Sequence, residues 1–157
     1  MSESLHTWYS LRDLESFGAR HVELGGEIPL ARLGRLTESL DTDEGSVKAS
    51  LKFGRDAGWV TCELAVRSTL RVVCQRCLEP LTLEVDERVE LAVVESPALA
   101  ASVPARYEPL VLEGDRVMPA QLVEDELIVS LPLVPKHANI ADCGAAARAL
   151  LGSAPVQ

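Results

Sequence analysis

From Val60 to Cys74 every second residue faces the same way: Val60, Cys62, Leu64, Val66, Ser68, Leu70, Val72 and Cys74 hold one register, polar only at Ser68. A slip of one residue would turn the whole set to the opposite face, so fifteen residues in phase demand one very long strand, or two joined by a bend near Arg67-Ser68-Thr69. The neighbouring segments match it. Val47, Ala49, Leu51 and Phe53 alternate with Ser46, Lys48, Ser50 and Lys52, the pattern of a half-buried strand, and Arg55–Gly58 supplies a turn. Leu81, Leu83, Val85, Val89, Leu91 and Val93 repeat the alternation, interrupted at Glu87. Two long strands entering and leaving Cys-Gln-Arg-Cys predict an antiparallel hairpin with Cys74 and Cys77 near its tip.

The rest of the chain reads as helices and connections around that framework. Residues 1–20 are expected to form an arm or a short helix. His21–Pro29 reads as a short strand broken by Gly25 and Gly26. Leu30, Leu33, Leu36 and Leu40 stand at helical spacing, although Gly34 among them costs about 1 kcal/mol relative to Ala. Ser96–Pro109, with three prolines, predicts a loop, and Leu110–Val117 a brief strand with a Gly-Asp turn. Pro119 suits the first turn of a helix that runs to Pro132, with Val123, Leu127 and Leu131 on one face and Glu124, Asp125 and Glu126 directed to solvent. The expectation is a single α+β domain over residues 21–143, with long antiparallel strands that curl toward a barrel and a few packed helices. Residues 144–157 would be a flexible tail.

Length and composition agree with one ordinary soluble core: 157 residues, 47% apolar and 25% charged. No stretch approaches the roughly 20 apolar residues of a membrane span. The start, MSESLHTWYSLRDLE, lacks the features of a secretion signal, so the cytoplasm, with reduced thiols, is the expected compartment. The formal charge is −9. Such a chain repels nucleic acid as a whole and suits a basic protein partner. No membrane and no DNA partner is expected.

Cys74 and Cys77 have ligand spacing, and His137 and Cys143 follow, six apart. Together they would make a closed Cys₃His site for one structural zinc ion, pinning the C-terminal segment to the hairpin tip. Small buried thiols are the competing reading; redox exchange is disfavoured because no helix N-terminus lowers a thiol pKa there. Cys62 shares the inward register and reads as core. Lys48, Lys52, Arg67, Arg71 and Arg76, with Arg55, form the densest basic neighbourhood, either a solvated face or an RNA contact. Glu124, Asp125 and Glu126 cannot converge on a metal from consecutive helical positions, about 100° apart, but they could meet a basic partner. No catalytic motif is present that argues for an enzyme.

Cys74–Cys77 followed by Pro80, then Tyr107-Glu108-Pro109, then VEDELIVSLPLVPKH from Val123 to His137 with Cys143 behind it, resembles the bacterial YceD family. The resemblance implies a non-enzymatic cytoplasmic factor for accumulation or processing of large-subunit ribosomal RNA. It also implies a partner among the ribosomal proteins or assembly factors of the large subunit, or pre-ribosomal RNA. Some members lack the cysteines, so a metal would stabilise rather than perform the family's activity. A metal- or thiol-dependent enzyme, or a scaffold with an indirect effect on ribosomes, stands as the alternative.

Overall fold

Trp59–Val73 is one unbroken 15-residue strand, β4, with no bend at Arg67–Thr69. It pairs antiparallel with β3 (Ser46–Asp56) on one side and β5 (Pro80–Val94) on the other. The computed structural model describes residues 2–137 and Cys143. In it β2 (Glu23–Pro29) joins β3 antiparallel and β6 (Glu108–Val111) joins β5 parallel, giving the sheet order β2-β3-β4-β5-β6. The sheet stays open. Its edge strands do not meet, because helices rather than further strands cover the inner face.

Register explains the two faces. Leu51 opposes Leu64, Phe53 opposes Cys62 and Ala49 opposes Val66, all buried, while Lys48 opposes Arg67 and Lys52 opposes Glu63 outside. Fully burying a Leu or Val is worth about 1.5–3 kcal/mol, so shifting this register would cost several such terms at once. The β3–β4 turn places both Ala57 (φ 51°) and Gly58 (φ 88°) in left-handed backbone, the requirement of a two-residue hairpin turn.

Four helical segments line the inner face. α1 spans Ser2–Leu5, and a two-stranded ladder joins β1 (Tyr9–Ser10) to β7 (Arg116–Val117). α2 (Leu11–Arg20) opens with a capping box in which Ser10 Oγ accepts from the Asp13 N–H and Asp13 accepts from the Ser10 N–H. Its Phe17 meets Phe53 and Tyr9 at ring separations of 5.4 and 5.0 Å. Gly18 brings helix and strand into backbone contact: a Cβ there would lie 2.7 Å from the Gly54 carbonyl oxygen. Leu5 and Leu14 share the sheet's core. α4 (Pro119–Ser130) begins at Pro119 as expected and buries Val123 and Leu127.

Several expectations are corrected. Leu30–Leu40 is not one helix but a 3₁₀ turn, Leu30–Arg32, followed by the single-turn α3, Gly34–Thr37. Leu33 (φ −109°, ψ 77°) breaks the helix beside Gly34, yet Leu30, Leu33 and Leu36 are buried as their spacing required. β2 continues through Gly25 and Gly26, which pair with Ser50 and Ala49. A side chain on Gly25 would stand 3.3 Å from the Ala49 carbonyl, so glycine there permits close strand approach instead of ending the strand. The Leu110–Val117 strand is split: β6 joins the sheet, Gly114 turns the chain, and β7 pairs with β1. The proline-containing loop holds a 3₁₀ segment, Pro97–Ser102. The tail expected over residues 144–157 lies outside the described residues.

One feature positions the site. β3–β4 pairing stops at Val47–Ser68, whereas β4–β5 pairing continues to Val73–Pro80. The last turn of the ribbon therefore overhangs the sheet, flanked by a hydrogen bond from the Asp41 N–H to the Arg71 carbonyl at 2.7 Å.

Candidate metal centre

The ribbon tip is a six-residue connection, Cys74–Glu79. The Cys74 N–H donates to the Glu79 carbonyl (2.9 Å) and the Leu78 N–H to the Cys74 carbonyl (2.7 Å). Leu78 adopts left-handed backbone (φ 63°), which turns the chain back immediately after the second cysteine and leaves both sulfurs on one side. The segment after α4 reaches this tip: the Gln75 N–H donates to the Pro135 carbonyl at 2.7 Å. That contact delivers His137, with Cys143 beyond it.

The sequence-expected set is brought together. The donor atoms of Cys74, Cys77, His137 and Cys143 all lie within 4.8 Å of one another. His137 Nδ1 stands 3.5 Å from Cys77 Sγ and 3.6 Å from Cys143 Sγ. A tetrahedral ion with Zn–S of ~2.3 Å and Zn–N of ~2.05 Å separates sulfur from nitrogen by about 3.6 Å and sulfur from sulfur by about 3.8 Å, so the two imidazole spacings match zinc and the wider separations would close by up to about 1 Å around it. The donor set suits that metal too, with soft thiolates and one imidazole. Cys74 and Cys143 are buried, and Cys77 and His137 half-buried.

At Cys74 local dipoles favour the thiolate form. Burial pushes the Cys74 thiol up, but hydrogen bonds from the backbone amides of Cys77, His137 and Arg76 outweigh it and bring the pKa down to about 5; the His137 N–H lies 3.4 Å from Cys74 Sγ. Burial raises the Cys143 thiol, opposed by a hydrogen bond from Arg76. Cys62 lies apart in the core, where desolvation, with a smaller push from Glu63, lifts its pKa to about 12; it is a packing residue, as its register indicated.

The other candidate residues are dispersed. Lys48, Lys52, Arg67 and Arg71 lie on the outer sheet face, but in register with carboxylates: one cross-strand row reads Glu27–Lys48–Arg67–Asp86 and another Glu23–Lys52–Glu63–Glu90. Arg67 pairs with Asp86 (3.7 Å) and Arg71 with Asp41 (3.6 Å). Arg76 turns away from them toward the cysteines. The acidic trio also divides. Glu124 is not solvent-directed: it is only 7% exposed, and its carboxylate accepts from the Arg35 N–H (2.8 Å), the Leu36 N–H (3.1 Å) and the Arg35 guanidinium (3.1 Å). It caps α3 from another helix, satisfying N–H groups that this helix start leaves open. Asp125 is exposed and pairs with Arg35 at 2.8 Å. Glu126 is half-buried, and burial, then Glu108 and Glu87, raise its pKa. Sequence periodicity could not separate the three, because the capping partner lies 89 residues away. A cleft of about 380 Å³ between α4 and the β1–β7 ladder is lined by Trp8, Arg35, Arg116 and Gln121, among others. No helix among the described residues is long and apolar enough to cross a membrane.

The fold and site define a class: an α+β protein with an open antiparallel-dominated sheet, whose overhanging ribbon brings together three cysteines and a histidine that could hold a metal ion. Four donors are the number a closed, structural zinc site uses. The chain belongs to the YceD family, described as large ribosomal RNA subunit accumulation protein YceD; the family model matches residues 62–151, from β4 through all four donors. It is 30% identical over 122 residues to the large ribosomal RNA subunit accumulation protein YceD of Haemophilus influenzae, covering 76% of this chain and 70% of that one. No solved structure matches it.

Proposed function

We propose that this chain is a non-catalytic cytoplasmic factor supporting the accumulation of large-subunit ribosomal RNA. In this reading it acts by holding a basic ribosomal or assembly protein of the large subunit. Membership of a family described by that RNA's accumulation carries the first part. The charge pattern supports the second. The formal charge is −9, and on the outer sheet face Arg67, Arg71 and Arg88 already pair with Asp86, Asp41 and Glu63. A phosphate backbone docking there would compete with those carboxylates and meet Glu27, Glu84 and Glu90 beside them, whereas a lysine- and arginine-rich protein would find acceptors. Asp125 and Glu126 extend the acidic surface on α4; Glu124 serves as a cap.

In the same reading one zinc ion, when bound, supplies a cross-link of the ribbon tip to the segment after α4. Cys74 and Cys77 would hold it from the hairpin, and His137 and Cys143 from the returning chain. Such a link stabilises a two-stranded overhang that has little core of its own. An enzyme would call for an open coordination position or a nucleophile paired with a base, and four protein donors around one centre argue against the first.

Capture of cell proteins on the tagged chain, at low and moderate salt, with and without ribonuclease, tests the proposal. The expected result is a basic large-subunit or assembly protein that survives ribonuclease and weakens with salt. Ribonuclease-sensitive capture of pre-ribosomal particles, abolished by Lys48→Glu with Arg67→Glu, would overturn the protein-holding mode in favour of RNA contact.

A further inference from the structure

We infer that Arg76 is an integral part of the metal centre, its guanidinium supplying the positive charge that allows a three-thiolate zinc site to be buried at the ribbon tip. The inference rests on the zinc reading above.

Arg76 sits between the two ligand cysteines of the hairpin, where a solvent-directed side chain is the ordinary choice, as at Gln75, which is exposed. Arg76 instead folds back and is half-buried. Its Nη2 donates to the His137 carbonyl at 2.6 Å, and its guanidinium opposes the burial that raises the Cys143 thiol. From its place on the hairpin arm, one planar fork thus reaches across to the returning arm that carries His137 and Cys143, a geometry a lysine ammonium cannot reproduce. The Nε atom is buried with no hydrogen-bond partner among the described residues. No ion pair with a carboxylate involves Arg76 among the described residues either. A cation withdrawn from water without a carboxylate needs another counter-charge. The thiolates of the adjoining four-residue cluster are the candidates.

Charge counting supplies the reason. Three thiolates and a neutral imidazole around Zn²⁺ carry a net charge of about −1, and the guanidinium brings the assembly to about zero. A neutral assembly tolerates the burial seen at Cys74 and Cys143; a lone anion would not. Arg76 is therefore a positioning and charge-balancing residue that acts through the ligands, and it binds no metal itself.

The test compares the full chain with Arg76→Met and Arg76→Lys. Zinc content after dialysis comes first, then the rate of zinc transfer to a chromophoric chelator, then the spectrum of the cobalt(II)-substituted proteins. Loss of such an outer partner weakens metal sites roughly 10- to 100-fold, so Arg76→Met is expected to give up zinc at least tenfold faster, with Arg76→Lys in between. The thiolate-to-cobalt charge-transfer band should move to lower energy in Arg76→Met, while the tetrahedral d–d bands stay in place. A merely structural role would not shift that band. Amide exchange at Val47, Leu64 and Val66 checks that the sheet is intact in each variant. Unchanged transfer rate and charge-transfer band in Arg76→Met would overturn the inference while leaving the zinc site standing. A wild-type chain that takes up neither zinc nor cobalt would overturn the zinc reading itself, and this inference with it.

Discussion

Glu124→Ala is the most informative single substitution, because α4 then loses the buried carboxylate that caps α3. In the native fold one oxygen of Glu124 accepts from two backbone N–H groups, at 2.8 and 3.1 Å, and the other accepts from the Arg35 guanidinium at 3.1 Å. Hydrogen bonds to a charged acceptor contribute about 1.5–3 kcal/mol each, and the two N–H groups would be left facing a cavity. The Arg35 side chain is 56% exposed, so its share is screened to ~0–1 kcal/mol. These sum to about 3–7 kcal/mol, and water entering the site recovers part of it, leaving an expected loss of about 3–4 kcal/mol. With a urea slope of ~2 kcal/mol/M that moves the midpoint by about 1.5–2 M; by melting, it is roughly 6–16 °C for a chain of this size. Glu124→Gln keeps an acceptor oxygen toward the N–H pair and should lose only about half as much. Chemical denaturation followed by far-ultraviolet circular dichroism measures both. A Glu124→Ala midpoint within 0.3 M of wild type would refute the capping argument. Asp125→Asn, by contrast, should cost under ~1 kcal/mol, since its ion pair with Arg35 is exposed.

Gly18→Ala places a methyl group 2.7 Å from the Gly54 carbonyl oxygen and should destabilise by about 1–3 kcal/mol, despite the better helix propensity of alanine. A melting temperature at or above wild type would show that α2 can lift from β3 at little cost. Glu126 and Asp56 should give opposite pH signatures. Burial, Glu108 and Glu87 raise the Glu126 carboxyl, so its contribution to stability is fully present below the ordinary carboxylate value and is lost as pH rises through the folded-state value. Glu126→Gln should therefore stabilise the protein at neutral pH and flatten that part of the profile. Hydrogen bonds from Tyr107 and Arg106 hold the Asp56 carboxyl low, so its contribution is present above the ordinary value and disappears as pH falls through the lowered one. Asp56→Asn should flatten the acid limb of a stability–pH curve, and an unchanged limb would count against the Tyr107–Arg106–Asp56 cluster.

Three long strands, their turn at Gly58 and the hairpin with cysteines at its tip were legible in the residues alone. The period of two is a local signal, repeated without a slip from Val60 to Val72, and burial follows it residue by residue. Cys74, Cys77, His137 and Cys143 were equally readable as one candidate group, because side-chain chemistry and Cys-x-x-Cys spacing are properties of the chain. The structure alone decided that His137 returns to the tip, through the Gln75–Pro135 hydrogen bond. It likewise turned Glu124 inward, drew Arg76 to the His137 carbonyl, broke the Leu30–Leu40 helix and left the sheet open. Each of these outcomes depends on a partner dozens of residues distant, or on which surface is covered first. Periodicity records which side of an element is apolar; it carries no information on which distant N–H, carbonyl or thiolate a polar side chain will meet once the core has closed.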